Sequence, residues 1–145
     1  MDPSEGGSAG GSTGPPDRQT LRLLERQVAS DPLVAATEFE PDPYEPRSLR
    51  AELDRERYPD PVTAARVDVR WFTTGDFSVH YVEDRGDDRW ECRWDRHPNA
   101  HDSRLHFHEP PTGDEISALD PPSLHPLEVY STVFEAIERR VESLW

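Results

Sequence analysis

The sequence predicts an α+β fold, an antiparallel sheet of about four strands with a C-terminal amphipathic helix packed on one face. Three observations carry this expectation. Within residues 66–94, three segments alternate apolar and polar side chains, the period of a half-buried strand. Short Gly-bearing stretches separate them, which suits hairpins rather than crossovers. Residues 126–144 repeat apolar side chains every three or four positions, the period of a helix with one buried stripe.

Taken in order, residues 1–16 are Gly, Ser, Pro and acid with few apolar side chains. Such a segment cannot offset its ordering entropy, so a disordered tail is expected there. Residues 17–46 read as an N-terminal helix and a Pro-rich linker. Asp17 is placed to cap the helix, and Leu21, Leu24 and Val28 recur at helical spacing. Four prolines between Asp31 and Pro46 predict irregular chain. The α+β domain is expected over residues 47–145. In it, Leu49, Ala51 and Leu53 alternate with Arg50, Glu52 and Asp54 as in a short strand, although Ala, Glu, Leu and Arg also favour helix.

The turns of the central meander set its register. A loop Thr73-Thr74-Gly75 puts Gly at the left-handed position of a type I turn with a bulge. Phe72 then pairs with Asp76, Trp71 with Phe77, Val69 with Val79 and Val67 with Tyr81. A two-residue loop Arg85-Gly86 would set Tyr81 opposite Trp90, Val79 opposite Cys92 and Phe77 opposite Trp94. All large apolar side chains then share one face, except Phe72 and Val82. The other face carries a row of Asp68, His80 and Glu91, and a row of Arg70, Ser78 and Arg93, with Asp76, Asp95 and Phe72 at the end. A fourth strand over residues 104–108 points Leu105 and Phe107 to the apolar side, and His106 and His108 to the polar side. The closing helix offers Leu127, Tyr130, Phe134, Ile137, Val141 and Leu144 as its stripe.

Composition narrows the setting. The formal net charge is −14, and all sixteen basic residues are Arg. An acid-rich, Lys-free chain suits a very salty cytoplasm and predicts a halophilic archaeal source. Acidity argues against non-specific nucleic-acid binding, which rests on a basic footprint, but molar salt shortens the screening distance to about 3 Å and weakens that argument. Cys92 is the only cysteine, which excludes an internal disulfide and a multi-Cys zinc site. No apolar run approaches the roughly 20 residues of a membrane span, and the N-terminus lacks the basic and apolar regions of a signal peptide. A cytoplasmic protein without a membrane partner is expected.

Four of the six histidines fall between His97 and His108. Imidazole titrates near neutrality and ligates metals. His106 and His108, two residues apart on a strand, share a face and can meet one phosphate or one ion. With Asp95 and Glu91 they suit a first-row divalent metal, and His101 is a further candidate ligand beside His106, His108 and Asp95. Alternatively, one histidine as base and another as acid, with Arg93 or Arg70 on a pentavalent phosphate, would serve metal-free RNA cleavage. The candidate catalytic residues are His106, His108, Asp95, His80 and His97, and the candidate substrate-binding residues are Arg70, Arg93 and Arg96.

Plainer readings stand beside these. The polar residues can be a solvated sheet face, with Asp68 meeting His80 across strands and Glu91 meeting Arg93 along one. His97 and His101 flank Pro98-Asn99, a turn signal, so shaping a turn competes with chemistry at His97. Cys92 points to the apolar face, where a thiol is inert packing. Trp71, Trp90 and Trp94 on that face are a platform for the closing helix rather than for stacked bases. The chain has no Gly-rich phosphate loop, zincin motif or nucleophile elbow.

The stretch from Leu49 to Trp145 resembles the TumE family of toxin–antitoxin proteins, in its haloarchaeal branch. The resemblance is carried by Ala65-Arg66-Val67-Asp68-Val69-Arg70-Trp71-Phe72, by Gly75-Asp76-Phe77-Ser78-Val79-His80-Tyr81, and above all by Cys92-Arg93-Trp94-Asp95-Arg96-His97-Pro98-Asn99-Ala100-His101. Leu105-His106-Phe107-His108, Pro110-Pro111 and the closing Leu144-Trp145 continue it. Asp95, His97, His101, His106 and His108 match the family's Asp-plus-His pattern. The resemblance implies a toxin encoded beside a helix-turn-helix antitoxin. With the site reading, the expected function is a toxin acting as a ribonuclease through a His/Asp/Arg sheet face. A protein-interaction module with structural histidines and a metal-binding regulator are the alternatives.

Overall fold

The computed structural model describes residues 14–98, 103–121 and 123–145. Asp17 caps helix α1, Arg18–Ala29, its carboxylate accepting from the backbone N–H of Thr20 at 3.1 Å and from the Thr20 hydroxyl at 2.9 Å. Such a cap satisfies donors that the first helical turn leaves free. Leu21, Leu24 and Val28 form the buried side of α1. Of the tail expected over residues 1–16, residues 1–13 lie outside the described residues. Pro16 forms a β-bridge with Phe72, and the N–H of Asp17 donates to the Trp71 carbonyl at 2.8 Å.

The sheet has seven strands rather than about four. They are β1 (Val34–Glu40), β2 (Ser48–Leu53), β3 (Ala64–Trp71), β4 (Phe77–Arg85), β5 (Asp88–Arg96), β6 (Leu105–His108) and β7 (Ile116–Leu119). All neighbours pair antiparallel, and their order across the sheet is their order in the chain. Strand β1 occupies part of the Pro-rich stretch read as irregular. Its prolines fall outside residues 34–40 and bound the strand instead of breaking it. Strand β7 is a four-residue edge with alternating exposed and half-buried positions, too short to stand out from its loop.

Helix α2, Pro126–Ser143, lies over the apolar face, as expected. Val129, Val133, Phe134, Ile137 and Val141 are buried, and burial of each larger aliphatic or aromatic side chain contributes roughly 1.5–3 kcal/mol. Val129 and Val133 take central places that the sequence stripe had assigned to Leu127 and Tyr130. Helix α1 shares the apolar face, packing against β1, β2, β3 and α2.

The first hairpin has the expected register, with Trp71 opposite Phe77, Val69 opposite Val79 and Val67 opposite Tyr81. The second differs by two residues. Arg85 pairs with Asp88, so the loop is Gly86-Asp87, and Tyr81 faces Cys92, Val79 faces Trp94 and Phe77 faces Arg96. Gly86 takes φ +78°, which a tight hairpin turn needs and which other residues adopt at a cost. A shift of two leaves every side chain on its face and moves its neighbours. Strand β6 pairs directly with β5, placing Asp95 opposite His106 and Arg93 opposite His108.

Candidate functional site

The corrected register sorts the polar face into rows. One row runs Arg50, Asp68, His80, Arg93, His108 across five strands. The next runs Arg70, Ser78, Asp95, His106. Beyond it, Phe72 hydrogen-bonds Asp76 through its backbone N–H at 2.9 Å, and Asp76 meets His97. The expected row of Asp68, His80 and Glu91 is therefore replaced, because Arg93 rather than Glu91 stands opposite His80.

Carboxylates hold the imidazoles of His97, His80 and His108. His97 Nδ1 lies 3.0 Å from Oδ1 of Asp76, a carboxylate only 3% exposed, and Asp76 is also bonded by the Thr74 hydroxyl. An N–H at Nδ1 donating to Asp76 leaves Nε2 as the free lone pair of a neutral imidazole, the arrangement that orients a general base. The His97 side chain keeps 44% of its surface exposed, so that nitrogen can reach solvent or substrate. His80 Nε2 lies 2.7 Å from Glu91 Oε1, both side chains partly exposed.

His108 is differently placed. Its Nε2 is 3.0 Å from Asp95 Oδ2, which also accepts from Arg93 Nε at 3.1 Å. Arg93 Nη2 lies 3.2 Å from the same His108 nitrogen. A guanidinium can only donate, so Nε2 cannot donate to Asp95 and accept from Arg93 at once. The carboxylate is the stronger partner, and Arg93 and His108 both converge on it. With 14% of its side chain exposed, His108 is a covered partner of a buried acid rather than an open base.

The remaining predicted residues separate. His106 sits half-buried beside Asp95 in the second row. Arg70 is exposed, and its side chain has no hydrogen bond or ion pair among the described residues. Arg96 follows Trp94 on the apolar side of the alternation, and its Nε donates to the Ser103 carbonyl at 2.8 Å. It thus ties down the connection after β5 instead of joining the polar face. His101 lies outside the described residues. Among the described residues, no three His, Cys, Asp or Glu side chains group as metal ligands. His108 and Asp95 bond each other directly instead of surrounding a common point.

Neither plain contact forms as expected. Asp68 is bound by Arg50 Nε at 2.8 Å and Arg66 Nε at 3.1 Å, not by His80. Arg93 bonds Asp95, not Glu91. Sequence reasoning missed Asp76 as a partner of His97. The signal was available: with a loop at Gly86-Asp87, counting one step past β4 and β5 brings Asp76 opposite His97.

The family model of the toxin TumE matches residues 20–141. The chain belongs to the TumE toxin family. Neither the curated proteins nor the solved structures include a match. TumE membership supports a toxin role and implies an antitoxin partner. The match begins inside α1, so the TumE region takes in the N-terminal helix and β1 as well as the part from Leu49 onward. Among the described residues, no helix is long and apolar enough to cross a membrane.

Proposed function

We propose that this chain is the toxin of a toxin–antitoxin pair and cleaves RNA on its polar sheet face, silenced by a helix-turn-helix antitoxin. The observation that carries this reading is the His97–Asp76 dyad, an exposed imidazole oriented by a buried carboxylate. It stands one row from Arg70, Ser78, Asp95 and His106. His97 follows the end of β5, two residues beyond Asp95, which pairs with His106; diagonal neighbours at that offset in a sheet are about 7–8 Å apart, room for a phosphodiester between two rings.

In this mechanism His97 Nε2 takes the proton from a ribose 2′-hydroxyl. The oxygen attacks the adjacent phosphorus, and the bond to the 5′-oxygen breaks. His106, protonated, gives its proton to that leaving oxygen, and a 2′,3′-cyclic phosphate remains. Arg93 opposes the charge that builds on the phosphoryl oxygens. Asp76 holds His97 in the useful tautomer, and Asp95 holds Arg93.

The test is induced expression without the antitoxin, following growth and total RNA together. The wild type should arrest growth with RNA loss, and His97→Ala and His106→Ala should each abolish both. Arrest with intact RNA would overturn the ribonuclease reading and favour a toxin that acts by binding. That second reading draws on an apolar cleft between α2 and strands β5–β7, lined by Trp94, Phe107, Leu119 and Ala136.

A further inference from the structure

Phe72 is the large side chain that the polar face does not explain. It breaks the sorting of apolar from polar residues and stays half-buried, its ring lining an open groove of about 500 Å³ on the polar face. That volume falls within the range of small-ligand clefts, ~300–1,000 Å³. Arg70, Ser48, Ser78 and Arg93 line the same groove.

Charge in this groove runs against the rest of the molecule. The protein carries a formal −14, yet Arg50, Arg70 and Arg93 outnumber the two acids that line the groove, Glu40 and Asp68. Asp68 is shared by Arg50 and Arg66, and Glu40 lies 3.8 Å from Arg50. Arg70, exposed and unpaired among the described residues, adds a cation with all its donors available.

Phe72, the extended residue just after β3, lies two positions beyond Arg70, so the two share a face at about 7 Å along the chain. An aromatic ring beside a free guanidinium suits one unpaired nucleotide, with its base on the ring and its phosphate on the cation. Phe72 is bonded to Asp76, and Asp76 to His97. Two interstrand steps of about 4.8 Å separate the Phe72 and His97 backbone positions, so a nucleotide held by Phe72 leaves its neighbouring phosphodiester near His97. A duplex hides its base faces in the stack and offers none to Phe72.

We infer that the groove is a nucleotide subsite for single-stranded RNA, in which Phe72 stacks a base and Arg70 takes its phosphate. This rests on the ribonuclease reading above and adds strand state and a base-stacking residue to it. Stacking is tolerant of base identity, so the subsite selects unpaired RNA rather than a sequence.

The test is fluorescence anisotropy of the full chain with short 2′-O-methyl oligoribonucleotides, single-stranded and duplex, which bind without being cleaved. The wild type should prefer the single strand. Phe72→Leu, which keeps apolar volume but not the ring, should weaken binding about tenfold, while Phe72→Trp retains it. Arg70→Gln, at an exposed position, should lower the slope of log affinity against log salt by about 0.7; it carries the test even if Phe72→Leu fails to fold. Tight single-strand binding that neither variant changes would overturn the subsite and leave the ribonuclease reading standing. Equal affinity for the duplex would overturn the single-strand assignment. Failure of the wild type to bind either RNA would overturn the subsite and the ribonuclease reading together.

Discussion

Arg140 grips Glu83 with two hydrogen bonds, Nη2 to Oε1 at 2.9 Å and Nε to Oε2 at 3.0 Å, across the seam between α2 and β4. Glu83 is fully buried, on the apolar side of the sheet. The Tyr81 hydroxyl donates to Glu83 Oε2 at 2.6 Å, and the Tyr58 hydroxyl lies 2.8 Å from that of Tyr81. The Arg140 guanidinium also lies 3.7 Å from the Trp90 ring centroid. A buried carboxylate is tolerated when it is paired and its lone pairs are used, and it is costly when stranded. Arg140→Ala should therefore destabilise by about 3–5 kcal/mol, whereas Glu83→Gln combined with Arg140→Met should cost clearly less. Urea unfolding of the single and double variants measures this. An Arg140→Ala loss no larger than that of its exposed neighbour, Arg139→Ala, would show that the pair does not hold the seam.

The same seam sets the alkaline limit. Burial pushes the Cys92 thiol up from 9.0 to about 12, and it raises the Tyr58 and Tyr81 phenols well above their ordinary 10.0. In each case the folded state favours the neutral form. That stability is complete below the unfolded pKa and is lost as pH rises towards the folded one. Melting temperature should fall from about pH 9 upward, Cys92 contributing first and the tyrosines joining above about pH 10. A companion check is alkylation at neutral pH, where Cys92 should react only after unfolding. Rapid labelling of the native protein would contradict this.

His97 and His108 should answer differently to removal. His97 is substantially exposed, so His97→Ala should abolish toxicity with little change in melting temperature. His108→Ala strips buried Asp95 of a partner, and losing a hydrogen bond of that kind costs roughly 1–3 kcal/mol. Melting curves read beside growth assays separate the two. Comparable destabilisation by both variants would show His97 to be structural.

Gly75 and Gly86 both sit in hairpin turns at positive φ, +93° and +78°. A side chain at Gly86 would meet nothing within 4 Å, whereas one at Gly75 would come 3.4 Å from the Pro98 ring and 3.6 Å from Arg96. Each Ala substitution carries backbone strain of about 1 kcal/mol or more. Gly75→Ala should cost more, and it should also displace the segment carrying His97. Thermal melts of the two variants decide the ranking, and equal losses would show that the chain around Pro98 yields freely.

Much of the architecture was legible because period-two and period-3.6 patterning reports which face a residue takes. Val67, Val69, Trp71, Phe77, Val79 and Tyr81 fell where counting put them. Patterning is blind to a slip of two, so it could not tell that Arg93, not Glu91, faces His80. That slip hid the approach of Asp76 to His97. Glu83 was hidden for another reason: a carboxylate beside Asp84 reads as a strand end, and its burial depends on Arg140, 57 residues later in the chain. Strand β1 was missed because it shows no sustained alternation, and β7 because four residues are too few to stand out from the loop around them.

A sheet whose spatial order is its chain order also shapes how the protein is made. Each strand pairs with the one just synthesised, so the loops that must close are short and their entropic cost is small. The long closures belong to the last helix, whose Tyr130 hydroxyl bonds Asp31 across 99 residues, and to Trp145, whose indole N–H reaches the Arg57 carbonyl across 88. On the ribosome the meander can zip up strand by strand, while the part of its apolar face that α2 will cover stays open. The polar histidine face is thus assembled before its scaffold is sealed, and the nascent chain acquires its final rigidity only when residues 126–143 clear the exit tunnel.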